Sequence, residues 1–232
     1  MQRRNFTSAL LSGTALGSLA VLASPSWAAP ISETDAASGI RAALERGAAA
    51  AVRLLGRPDG FLSNPKVRIP LPGFLNDAAK LLKLTGQQRR VDELVTAMNR
   101  AAEAAVPEAR TLLVNAVRSM SVDDGRRILT GGDDSATRFF AEKTRTPLTA
   151  RFLPIVAKAT DKVALADKYN AVAGKAAGIG LLSEKDANLQ QYVTGKALDG
   201  LYLTIGEEER KMRSDPVGTG SAILQKVFGS MR

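Results

Sequence analysis

The chain has 232 residues, of which 32 are Lys or Arg and 23 Asp or Glu, for a formal charge of +9, and it contains neither histidine nor cysteine. Those two absences exclude disulfides and thiol chemistry, the usual zinc ligand sets, Ser–His–Asp and Cys–His nucleophiles and an imidazole proton shuttle. Any catalysis must rest on Asp, Glu, Lys, Arg, Tyr, Ser or Thr, and any metal must be a hard cation bound through oxygen.

Residues 1–28 read as a cleaved secretory signal peptide. Arg3 and Arg4 make a basic start, Ala9 to Ala23 an apolar stretch, and Ser26–Trp27–Ala28 a small-x-small cleavage site. The stretch is short and diluted by Ser, Thr and Gly, so no membrane span is expected to remain after cleavage. The run RRNF also resembles a twin-arginine signal, so export to the periplasm by that route or the general secretory route is expected. The remaining domain, 29–232, keeps 30 basic and 23 acidic residues, a charge of +7. Such a charge attracts anionic surfaces such as lipid headgroups, or simply keeps the protein soluble. No stacking-aromatic or groove-reading motif accompanies it, so no nucleic-acid partner is expected.

Nearly everything after Ala29 has helical periodicity. Ser32, with Asp35 three residues on, opens a first helix whose apolar positions Ile40, Leu44, Ala48, Val52 and Leu55 recur every three or four residues, and Gly56 follows its end. Pro58, Pro65, Pro70 and Pro72 then forbid regular helix over 56–72. An extended Pro-rich arm is expected there, anchored by Phe61, Leu62, Ile69 and Leu71. A short helix is expected from Pro72 to Thr85, stopped by Gly86. Between Val91 and Met120 one apolar stripe runs in phase through Leu94, Met98, Ala102, Ala105, Leu113 and Ala116. Pro107 falls on its polar side, which predicts either a kinked helix or two nearly collinear ones.

Ser121 with Asp124 forms a capping box for a brief helix, VDDGRRILT. The joint Gly131–Gly132–Asp133–Asp134 is expected to stop that helix on its glycines and cap the next through Asp133. A helix through RFFAEKT follows, with Pro147 and Pro154 punctuating what comes after it. Further helices are expected at about 166–177 and 183–213, then a stop at Ser214–Asp215–Pro216 and a short C-terminal helix, SAILQKVFG. In the penultimate one, Val193, Ala197, Leu198, Leu201, Tyr202, Leu203 and Ile205 cover most of the circumference, which predicts a central, buried helix. Gly195 and Gly200 would admit close neighbours, and Lys196 and Asp199, three apart, would pair. Glu207 to Arg213 reads as a solvated charged face with Glu207–Lys211 and Glu209–Arg213 pairs, and Phe139, Phe140 and Phe152 as core. The fold class is all-α, a single domain of seven to nine helices with the Pro-rich arm on its surface.

The segments NPKVRIPLP, MNRAAEAAVPEA, ILTGGDDSATRFFAEKT, YVTGKALDGLY and EEERKMRSDP, in that order, resemble the bacterial family called domain of unknown function 4197. The resemblance spans about Gly39 to Gly229. It implies an exported, helix-rich protein and carries no catalytic residue, cofactor or substrate with it.

Several constellations bear on chemistry. Asp123, Asp124, Asp133 and Asp134 would hold a divalent cation or act as acid and base if they converged. Helix capping and dipole preference account for the same four residues without a site. A phosphate loop needs Lys then Ser or Thr after its glycines, and here two aspartates stand in that place. Asn99 and Glu103 share a helix face at the edge of the apolar stripe and suit a buried polar network. The candidate ligand-binding residues are therefore Asn99, Glu103, Asp133, Asp134, Lys196 and Asp199, with no catalytic residue, metal site or cofactor assigned. The leading expectation is a non-catalytic periplasmic binding or envelope-associated protein whose partner is an envelope lipid, another amphiphile or an anionic surface. The alternatives are a carboxylate-based, Mg- or Ca-dependent hydrolase-like enzyme and a scaffold for protein partners.

Overall fold

The computed structural model of the protein describes residues 33–75, 79–80, 84–161, 163–178, 180 and 188–215. All belong to the compact unit Ile31–Arg232; the expected signal peptide, the Ser32 cap and the expected C-terminal helix at 221–229 lie outside them. The described residues are mostly α-helical and contain no strand.

Helix α1 spans Glu33–Leu55 and is rich in alanine, the best helix former. It buries Ile40, Leu44, Ala48, Val52 and Leu55 along one stripe. From Gly56 to Val67 the chain makes successive turns, and from Arg68 to Pro72 it has neither helix nor strand. Phe61 and Ile69 of this segment are buried in the core, with Leu71 packed against it. Of the short helix expected over 72–85, Gly73–Leu75 is a 3-10 turn, residues 79, 80 and 84 are helical, and 76–78 and 81–83 lie outside the described residues.

The Val91–Met120 pattern resolves into α2, Gln88–Ala105, and α3, Ala109–Arg118, joined by a 3-10 turn at Val106–Glu108 that holds Pro107. Val106, Glu108 and Ala109 all keep right-handed helical backbone angles, so the chain tightens at Pro107 and then continues. Helix α4, Val122–Thr130, opens with the expected capping box: the Asp124 N–H donates to Ser121 Oγ at 3.0 Å, and the Ser121 N–H donates to Asp124 Oδ2 at 3.0 Å.

Helix α5 runs unbroken from Ser135 to Thr160 with Pro147 and Pro154 inside it, where punctuation was expected. Two prolines seven residues apart stand on the same face, and here that face is exposed while Leu148, Phe152 and Val156 are buried opposite. Each proline costs one bond to the carbonyl four residues back. Those carbonyls belong to Lys143 and Ala150, both exposed, so water can satisfy them.

Helix α6 spans Ala164–Gly178 and α7 spans Leu189–Ser214. Helix α7 begins later than the sequence pattern indicates because Asn188 has extended backbone and caps it, accepting from the Gln191 N–H at 3.1 Å. It packs against α1, α2, α5 and α6 and buries Val193, Ala197, Leu198, Leu201 and Ile205. Its burial is not complete around the wheel: Lys196, Asp199 and Leu203 are exposed. Their three- and four-residue spacings put them on one face, which is the solvent face of an otherwise central helix. Gly200 admits a close neighbour, since a Cβ there would stand 2.7 Å from Phe61 Cε1, whereas Gly195 has no such neighbour within 4 Å.

Candidate functional site

The six candidate residues fall into three separate settings. In the first, Asn99 and Glu103 project from α2 onto the segment that follows α1. Asn99 is fully buried and brackets Ile69: its Oδ1 accepts from the Ile69 N–H at 2.8 Å, and its Nδ2 donates to the Ile69 carbonyl at 2.9 Å. The same Nδ2 donates to the Val95 carbonyl one turn back at 2.8 Å. Glu103 Oε1 accepts from the N–H groups of Phe61 and Leu62 at 3.0 and 3.1 Å. Its Oε2 accepts from Arg100 at 2.7 Å, and Arg100 also pairs with Asp59 at 2.8 Å. The hydrogen bond that Arg100 donates to Glu103 raises the pKa of its guanidinium above the ordinary value. Backbone irregularity at Pro-rich sequence leaves N–H and C=O groups that helix cannot satisfy, and these two side chains take that place. Tyr192 Oη on α7 adds a bond to the Pro70 carbonyl at 3.1 Å.

The second setting is the Gly131–Asp134 joint. Asp133 does not cap α5; Asp134 occupies the N-cap position, yet its side chain makes no capping bond. Both are exposed, and Asp134 pairs with Arg138 at 3.4 Å. The role expected of them is filled by Glu209 of α7, 73 and 72 residues along the chain from the two amides it caps. Its Oε1 accepts from the Ala136 N–H at 3.0 Å, and its Oε2 accepts from the Thr137 N–H at 3.1 Å and Thr137 Oγ1 at 3.0 Å. A carboxylate there meets both the free amides and the positive end of the α5 dipole. Arg213 then donates to Glu209 Oε1 at 2.9 Å, Ser135 Oγ at 2.7 Å and the Ile128 carbonyl at 2.8 Å. The Glu209–Arg213 pair expected from spacing thus exists, but it is buried rather than solvated, with Glu209 only 5% exposed. The Glu207–Lys211 pair is replaced: Glu207 pairs with Lys66 and Lys211 with Glu208, each at 2.6 Å.

Gly131 explains the rest of the joint. Its backbone is extended and needs no left-handed conformation. A Cβ at Gly131 would instead stand 2.6 Å from both the Arg127 carbonyl and Ser135 Cβ, so the two helices meet through its missing side chain. Asp124, in the preceding capping box, has its pKa lowered chiefly by its bonds from Ser121 and then by Arg127.

The third setting is the exposed face of α7, where Lys196 and Asp199 do not pair with each other. Asp199 pairs with Arg145 of α5 at 3.0 Å, and Lys196 lies over the Tyr192 ring, 5.8 Å from its centroid. Arg145 also covers the Tyr202 ring at 5.0 Å, and burial raises the Tyr202 pKa against the hydrogen bond it shares with Thr144. A neighbour on another helix outcompeted the local i,i+3 partner, because facing helices bring charges together across a gap that one helix surface does not.

Asn99 and Glu103 therefore work together, while the Asp133–Asp134 and Lys196–Asp199 positions stand apart from them and from each other. The burial and capping role of Glu209 were missed by sequence reasoning, which found only its pair with Arg213. The signal was present: Leu198, Tyr202, Ile205 and Glu209 continue one buried stripe with spacings of four, three and four.

A family model described as "Protein of unknown function (DUF4197)" matches residues 30–229. The chain belongs to that family. No curated protein and no solved structure matches it. The matched range takes in the Asn99 and Glu103 contacts to the 56–72 segment and the Glu209–Arg213 pair of this DUF4197 member.

Proposed function

We propose that this protein is a non-catalytic binding protein of the bacterial envelope, exported by way of a signal peptide at 1–28, whose ligand is an anionic amphiphile or an anionic surface. The full domain, 29–232, is read with it as seven to nine helices carrying the Pro-rich segment 56–72 as an arm, turned over 56–67 and without helix or strand over 68–72. One observation carries the reading. The buried carboxylates Glu103, Asp124 and Glu209 each spend their oxygens on backbone N–H groups and an arginine of the protein itself. Groups so engaged are fixed in place by hydrogen bonds of the fold itself, whereas a general acid or base needs its carboxylate turned toward a substrate. What the molecule offers a partner is its exposed surface, and the excess charge there is positive.

The test is co-sedimentation of the purified protein with vesicles of pure phosphatidylcholine and of phosphatidylcholine mixed with phosphatidylglycerol. Binding to the anionic vesicles alone, released as salt shortens the screening length, supports the reading. Equal binding to both compositions, or to neither, overturns it.

A further inference from the structure

Where α1 ends against the α2–α3 junction there is a cleft of about 380 Å³ lined by Ala49, Val52, Arg53, Gly56, Arg57, Pro107 and Arg110. Three of its seven lining residues are arginines and none is acidic. All three are exposed, and among the described residues no carboxylate lies within ion-pair distance of any of them. Arg89, Arg100, Arg126, Arg127, Arg138, Arg145, Arg151 and Arg213, by contrast, each have a carboxylate partner. The nearest acids in sequence are turned to other uses. Asp59 pairs with Arg100, and Glu108 pairs with Arg151 at 3.9 Å.

The cleft is built by a close approach. A Cβ on Gly56 would stand 2.9 Å from the Val52 carbonyl and 3.1 Å from Pro107 Cγ, so a side chain at 56 would crowd both the end of α1 and the Pro107 turn. The approach sets Arg53 and Arg57, from one side, facing a cleft shared with Arg110, from the other, over a floor of Ala49, Val52 and Pro107. Arg53 and Arg57 near a helix C-terminus also complement its dipole, but that explanation does not extend to Arg110. Arg110 lies in the opening turn of α3, where the dipole favours the opposite charge.

We infer that this cleft is an anion-binding site for a phosphate group, with the apolar floor receiving the non-polar part of the molecule that bears it. Guanidinium groups recognise phosphate oxygens through paired N–H donors, and three unneutralised ones suit a phosphate better than a single carboxylate. The inference rests on the proposed binding function and gives it a place on the molecule. The phosphate can come from a lipid headgroup or from a soluble phosphate compound, and the experiment separates the two.

Binding is measured by calorimetry for inorganic phosphate and for monomeric short-chain phosphatidylglycerol, and by co-sedimentation for anionic vesicles. Three proteins are compared: the natural one, the variant Arg53→Gln/Arg57→Gln/Arg110→Gln, and a charge-matched control, Arg90→Gln/Lys143→Gln/Lys168→Gln. All six positions are exposed, and thermal melting of each variant checks that the fold is kept. The expected result is a loss of about tenfold or more in the cleft variant and a change within about twofold in the control. A preference for short-chain lipid over inorganic phosphate assigns a lipid headgroup; equal affinity assigns free phosphate. If both variants weaken equally, or neither does, while the natural protein still binds anionic vesicles, the cleft assignment is overturned and the general binding function stands. If the natural protein binds phosphate through the cleft but ignores vesicles, the surface part of the proposed function falls and the cleft stands. If it binds none of the three probes, both fall.

Discussion

Glu209 shows how much a single carboxylate can be asked to do. It caps α5 through two amides and a hydroxyl while neutralising Arg213, which itself holds the Ile128 carbonyl and Ser135. Removing one member of a buried ion pair leaves the other charge unsolvated, which costs about 3–5 kcal/mol. Glu209→Ala is therefore expected to lower unfolding free energy by about that amount in urea titrations, since it also strands the Ala136 and Thr137 amides. Glu208→Ala, one residue away, removes a partly exposed pair with Lys211 and is expected to change stability by about 1 kcal/mol or less. Equal effects from the two would show that burial of the node does not matter to folding. The neighbouring Gly131 tells the same story by steric means: what looked like glycine for a helix-ending turn is glycine for closeness, with the Arg127 carbonyl 2.6 Å from where a Cβ would sit.

At the scale of elements, the segment 56–72 is kept in place by side chains of other helices. Asn99 acts on Ile69 as a neighbouring strand would, offering one acceptor and one donor to a single residue. Asn99→Ala leaves the Ile69 N–H and C=O buried without partners, at about 1–3 kcal/mol for each group left unmade. The expected outcome is faster tryptic cleavage after Lys66 and Arg68, located by mass spectrometry, with cleavage within α5 changed far less. Uniform acceleration at all sites would mean that Asn99 supports global stability and not this segment. Much of this level was legible beforehand. The α4 capping box, the apolar stripe through α2 and α3, and the placing of Asn99 and Glu103 in a polar network follow from spacing alone. The rest was hidden for a physical reason. Whether Pro147 and Pro154 break α5 depends on which face meets water, and which partner Asp199 chooses depends on where α5 places Arg145. Both are facts of tertiary packing, which local periodicity does not encode.

For the molecule as a whole, the decisive matter is whether its acids can act together. Four aspartates near the α4–α5 joint invite a divalent-cation site, and a hydrolase built on Mg²⁺ or Ca²⁺ would need one. The geometry disperses them. Asp124 is committed to Ser121 and Arg127, Asp123 pairs with Arg126, Asp134 with Arg138, and Asp133 lies in a separate cleft with Arg210, Lys211, Arg213 and the Lys66–Glu207 pair. Among the described residues no three acidic side chains are grouped so as to hold a metal ion. A ligand that binds the native state stabilises it in proportion to the logarithm of its concentration over its dissociation constant, about 2.7 kcal/mol at a hundredfold excess. A true Mg²⁺ or Ca²⁺ site would therefore raise the melting temperature by several degrees at millimolar metal, and chelator would reverse it. The expectation is coincident melting curves with Mg²⁺, with Ca²⁺ and with chelator. A chelator-reversible rise with either cation would return the hydrolase reading to first place, and substituting Asp123, Asp133 and Asp134 one at a time would then show which of them holds the ion.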